Sequence, residues 1–228
     1  MVPLSFGWRH VLFVNWPVDS DVVAARVPDA LDVEEHDGSA WLSVVTLLNV
    51  DTRPRGLAVM TGVPQAEVHL RTYVSRGSDS GVYVFSIDTA GLLRVLSARL
   101  THHLPYYYAS VQLRQRDGRV RVRSRRRHRG ARPVGFAASY EPTGEPYAAD
   151  SGTLAEFLVD RSRLLTEATD GTLRYTDVSH DPWPLRDVDV TVGENTLFEA
   201  SGFEHPETDS VHVYSPGVDV ITSRSERY

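Results

Sequence analysis

The 228 residues contain no cysteine, and every one of the 24 basic side chains is an arginine. Without thiols there are no disulfides, no thiolate nucleophile and no cysteine metal site. Without lysine there is no side-chain Schiff base, no pyridoxal phosphate anchor and no Walker-type phosphate loop. No segment approaches the roughly 18 apolar residues of a membrane span, and the first thirty lack the basic start and apolar run of a secretion signal. The expectation is a soluble, cytoplasmic protein. Its 41% hydrophobic content supports one domain, residues 1–228, with an ordinary core. No serine lies in a nucleophile-elbow pattern, no glycine-rich phosphate loop is present, and no two carboxylates have a spacing that defines acid–base work.

What is present is unevenly distributed. The net charge is −6, yet Arg114 to Arg132 holds ten arginines against one acid, Asp117, a formal +9 that leaves −15 to the rest of the chain. Such a block can be a nucleic-acid patch. Here RDGR is a hairpin turn signal, and Val120 and Val122 alternate with Arg121, Arg123 and Arg125 as in a half-buried strand. No aromatic residues interleave the arginines for base stacking, so nucleic acid is not the expected partner. The competing reading is a solvated strand face paired to the acidic remainder.

Along the chain, short strands dominate. VLFVNWPV and AWLSVVTLLNV read as strands, DSDVVAARVP as a short helix capped by Asp19 or Ser20, and RPRGLAVMTGVPQ as loop. In AEVHLRTYV, Ala66, Val68, Leu70 and Val74 share one face, and Glu67, His69, Arg71 and Tyr73 the other. GVYVFSID is apolar on both faces, as in a central strand. Leu92, Leu93, Leu96 and Leu100 recur at helical spacing, predicting a helix over residues 91–101. A further helix over 152–160 opens with a serine cap, and Asp170-Gly171 marks another hairpin. Helices near 20–26, 91–101 and 152–160 among many antiparallel strands argue for an α+β domain on a closed or strongly curved sheet.

The succession EVHLRTYV, GVYVFSID, ARLTHHLPYYYA, GTLAEFLVDRSRL and HDPWPL resembles the YqjF-like family of unknown function (DUF2071), in the acetoacetate decarboxylase-like superfamily. The resemblance covers nearly the whole chain, from FVNWPVD through PGVDV. It implies a mainly antiparallel β-cone or barrel around an internal cavity, with a few helices outside. Acetoacetate decarboxylases of the superfamily form a Schiff base on a lysine that follows a proline, just after an arginine-bearing helix, and a glutamate on a neighbouring strand assists. By position, the resemblance places that glutamate at Glu67, the helix arginine at Arg99 and the proline at Pro105. The lysine position falls on Tyr106, which cannot form an imine. Schiff-base decarboxylation is therefore excluded, and no cofactor is expected.

Glu67 and Tyr106 are the candidate catalytic residues, and Arg71, Arg99, Tyr73 and His69 the candidate ligand-binding ones. Glu67 and Arg71 lie about 13 Å apart at roughly 3.3 Å per residue, so they would engage one ligand from two sides rather than each other. If their face looks into a closed sheet, it lines a polar cavity; if it looks outward, it is a wet surface. Arg99 either anchors an anion or forms a structural ion pair with Glu67 or Asp88. Adjacent His102 and His103 point apart and do not make a metal centre. Trp183, in a rigid proline-flanked segment, suits the closing of one end of the barrel, while His180 is undecided. The implied partner is a small anion or carbonyl compound, bound or turned over in an enolisation, hydration or lyase-type step. The alternative is a domain that binds without reacting, and self-association is left open.

Overall fold

The computed structural model describes residues 3–56 and 62–228. In chain order the elements are β1 (Leu4–Val18), α1 (Ser20–Ala24), β2 (Asp32–Val33), β3 (Ala40–Pro54), β4 (Gln65–Arg76) and β5 (Asp79–Thr89). Then come α2 (Leu92–Thr101), β6 (Tyr106–Arg116), β7 (Arg119–Arg126), β8 (Gly135–Tyr147), α3 (Leu154–Val159), β9 (Arg163–Glu167) and β10 (Leu173–His180). The chain ends with β11 (Leu185–Asn195), α4 (Leu197–Ala200), β12 (Val211–Thr222) and β13 (Glu226–Arg227).

The 13 strands form one sheet, antiparallel except where β5 runs parallel to β6 and to β9. The sheet closes on itself because β4 also pairs with β5, and β10 with β12. The result is a ring, β5–β9–β10–β12–β1–β3–β4, with β6, β7, β8 and β11 folded over its outside. That outer layer rejoins the ring at one residue pair, Arg186 with Tyr214. Parallel neighbours need a crossover, and α2 supplies it between β5 and β6.

Two apolar clusters follow from this closure. One fills the space between the ring strands and the outer layer, with Leu12, Val14, Leu42, Val44, Val68 and Leu70 against Val120, Val122, Phe136 and Tyr140. The other lies inside the ring, with Phe13, Val45, Leu47, Val84 and Ile87 among its members. β5 is apolar on both faces because it touches both clusters. Between the pairs Leu70–Ser86 and Arg71–Val84 it carries one extra residue, a β-bulge that keeps Val84 and Ile87 on the ring's inner side.

The hairpin turns fall where the sequence places them. Asp117 and Gly118 both take positive φ (50° and 81°) between β6 and β7, and Gly171 (75°) lies between β9 and β10. α1 is capped by the Asp19 side chain on the Asp21 amide. α3 is capped by Thr153 rather than a serine, and α4 is a short helix that apolar spacing does not signal. The loop expected over residues 53–65 coincides in part with the end of β3, and residues 57–61 of it lie outside the described ones.

The helix expected over residues 91–101 forms as α2. Its stripe of Leu92, Leu93, Leu96 and Leu100 faces water, whereas Val95 is buried and Ala98 packs inward on the second cluster. Periodicity locates a stripe on a helix but not the side on which the protein lies. Among the described residues no helix is long and apolar enough to cross a membrane.

Candidate functional site

Inside the ring lies a cavity of about 780 Å³. Glu67, His69 and Arg71 of β4 line it, because the even-numbered neighbours on that strand are committed to the outer cluster. Facing them are aromatic and aliphatic side chains of β1, β3 and β5, and Trp183 also lines it. Trp183 stacks on Trp8 (6.0 Å, 7° between planes) and meets Phe13 edge-on (5.5 Å, 89°). His180 stands at the end of β10 with its ring 4.9 Å from Trp183.

Glu67 is the hub of a charged cluster. Arg94 Nη2 donates to its Oε1 at 2.6 Å and His69 Nε2 donates to its Oε2 at 2.8 Å. Burial opposes the carboxylate's charge, but the Arg94 guanidinium and His69 outweigh it, so its pKa lies below the ordinary 4.5. The Tyr106 phenol lies against Arg94. Burial, reinforced by the Glu67 charge, pushes its pKa up, which keeps it a hydrogen-bond donor. His102 also lines the cavity, its pKa lowered by burial and by His103.

Arg71 is different. It is 9% exposed, its Nη2 donates to the Leu158 carbonyl at 2.9 Å, and its Nε is buried with no hydrogen-bond partner. Its guanidinium carbon sits 5.3 Å from the Phe13 ring centre. No carboxylate pairs with it among the described residues, whereas nearby Arg161 has Glu34 at 3.2 Å. A buried cation without a paired acid is costly, and the chemistry of a guanidinium lining a cavity suits a carboxylate.

The structure gathers four of the six candidates around the cavity: Glu67, His69, Arg71 and Tyr106. Tyr73 is 0% exposed and does not line the cavity; its hydroxyl donates to the Leu158 carbonyl at 2.9 Å and meets Ser43 Oγ at 2.7 Å. Arg99 points away, reaching the Tyr106 carbonyl (3.2 Å) and stacking on Tyr107 at 5.6 Å. On α2 it is Arg94 that lines the cavity beside Glu67, not Arg99, the position given by the resemblance. The alternative expectation, an ion pair of Arg99 with Glu67 or Asp88, is not what forms: Glu67 pairs with Arg94 and Asp88 with Arg126 (2.7 Å). The one local signal for Arg94 is Gly91, whose φ of 90° opens the helix a turn earlier beside Gln65.

A strand ring enclosing such a cavity is an acetoacetate decarboxylase-like fold. The structure matches acetoacetate decarboxylase from Legionella pneumophila with a TM-score of 0.67 at 14% identity, over 99% of this chain and 87% of that one. It matches the enduracididine biosynthesis enzyme MppR complexed with pyruvate at 0.68 and 15%, over 99% and 90%. At such identities the likeness establishes the fold alone. The chain itself belongs to the DUF2071 family of uncharacterized conserved proteins, matched over residues 5–219. The uncharacterized protein YqjF of Bacillus subtilis (strain 168) is 34% identical over 215 residues, 94% of this chain and 88% of that protein.

Proposed function

We propose that the cavity binds a small carboxylate or carbonyl compound, with Arg71 holding the anion. The observation that carries this reading is the unpaired, nine-tenths-buried guanidinium facing a cavity of about 780 Å³. Arg94 and the protonated Tyr106 phenol are donors on the same wall, suited to a carbonyl oxygen that gains negative charge during enolisation. Glu67 is the carboxylate available to accept a proton. With no lysine in the sequence, an imine is not the route. The neighbour solved with pyruvate is consistent with an oxo acid of this size.

A second reading, binding without reaction, is favoured by one detail. Both oxygens of Glu67 are already engaged, by Arg94 and His69, which weakens it as a base. Thermal melting with millimolar pyruvate or acetoacetate tests the shared part. A rise in Tm is expected for the native protein and for Arg99→Met, and none for Arg71→Met. An equal rise in Arg71→Met would refute the anchor. Deuterium entering the pyruvate methyl group in D2O distinguishes enolisation from simple binding.

A further inference from the structure

Strand β4 provides a depth scale for the cavity. Gln65 marks its outer end beside Gly91, and Arg71 lies six residues further in, about 20 Å along the strand at roughly 3.3 Å per residue. At that depth the Leu158 carbonyl of α3 accepts from both Arg71 and Tyr73. Above Arg71 the walls are Phe13, Val45 and Ile87, and across from β4 stand Trp8, Trp183 and Leu164. The acid and imidazole on the polar wall, Glu67 and His69, already bond each other.

A two- or four-carbon acid on Arg71 would leave most of 780 Å³ facing tryptophan, phenylalanine and aliphatic side chains. Cavities of this size ordinarily enclose much larger ligands, and water gains few hydrogen bonds against apolar walls. The lip carries the same chemistry outward. Leu93 lines the cavity yet is 82% exposed, and Leu92, Leu96 and Leu100 of the same helix are more than half exposed. Leu93 at the lip and Trp8, Trp183, Phe13, Val45 and Ile87 on the walls therefore place apolar surface between the opening and Arg71, for which no acid partner is found among the described residues.

We infer that the ligand is a monocarboxylic acid with an extended apolar tail, aliphatic or aryl-alkyl. Its carboxylate sits on Arg71, and its tail lies along the Trp8–Trp183 wall toward Leu93. This rests on Arg71 as the carboxylate anchor and adds the class of acid that the anchor takes.

Calorimetric titration with straight-chain acids from acetate to decanoate, below their micelle-forming concentrations, tests it. Each added methylene should tighten binding about fourfold until the tail reaches the lip. Arg71→Met should weaken every member at least about tenfold, and Leu93→Ser only the longest. Affinity that stays flat, or falls beyond the four-carbon acid, overturns the apolar tail while leaving Arg71 as an anchor for small anions. Binding of the whole series unchanged in Arg71→Met, or no binding of any member to the native protein, overturns both.

Discussion

Val68, Leu70 and Val74 of β4 point into a filled core, while Glu67, His69 and Arg71, one residue out of step, line an open cavity. The same division separates two buried arginines. Arg126 lies 5% exposed between β7 and β5, with Asp88 at 2.7 Å and the Tyr107 ring 4.0 Å beneath it. Arg71 is as deeply enclosed but has a peptide carbonyl and two aromatic rings around it and lines the cavity. Burial alone does not separate structure from function. A buried charge whose counter-charge belongs to the same chain is accounted for as structure, and one without it, as at Arg71, is the candidate anchor proposed above.

The largest expected effect breaks that comparison directly. Arg126→Met strands Asp88 and should cost about 3–5 kcal/mol in urea unfolding. Arg71→Met should change stability by less than about 1 kcal/mol, because Tyr73 still donates to Leu158 and a buried cation has been removed. Equal losses in the two variants would mean that Arg71 is structural after all.

A middle-sized effect concerns acid stability. Glu67 has a folded pKa below its ordinary 4.5, so its stabilisation is present above that value and is lost as the pH falls through the folded one. Asp88 has the opposite sign. Burial raises it above the ordinary 3.8 despite Arg126, so its protonation favours the folded state as the pH falls. Between pH 5 and pH 3 the decline in Tm should be shallower in Glu67→Gln than in the native protein and steeper in Asp88→Asn. The limit is about 1.4 kcal/mol per pH unit for each proton. Matching slopes in all three would remove the contrast between the two carboxylates.

The smallest effect lies on the outer layer. Arg121 and Arg123 are exposed on β7 and form no ion pair among the described residues, while Arg119 and Arg125 reach Glu141 and Glu194, each at 3.2 Å. Replacing Arg121 and Arg123 by serine should move stability by no more than about 0.5 kcal/mol each. A larger loss would show that this face is not simply solvated.

The contrast between core and cavity was half legible in the sequence. Strict alternation in AEVHLRTYV placed Glu67, His69 and Arg71 together, and period-two alternation survives in the structure because both faces of β4 are occupied. The turns at Asp117-Gly118 and Asp170-Gly171 were legible because only a few residue types tolerate positive φ. That Arg94, not Arg99, meets Glu67 was not. The two are five positions apart on α2, hence on different faces, and only the ring's position decides which looks inward. The four residues of α4 were missed because their start rests on one side-chain bond, Asn195 Oδ1 accepting from the Leu197 amide (3.1 Å). So brief a helix has no apolar period to read.

The sharing of strands between two apolar clusters also bears on how this protein could acquire a new ligand. A side chain exchanged on β1, β3, β4 or β5 alters a backbone that both clusters grip, so a change meant for the cavity disturbs the packed side as well. α2 and the segment around Trp183 touch the inner cluster alone. They are the walls that can be redrawn without disturbing the packed side.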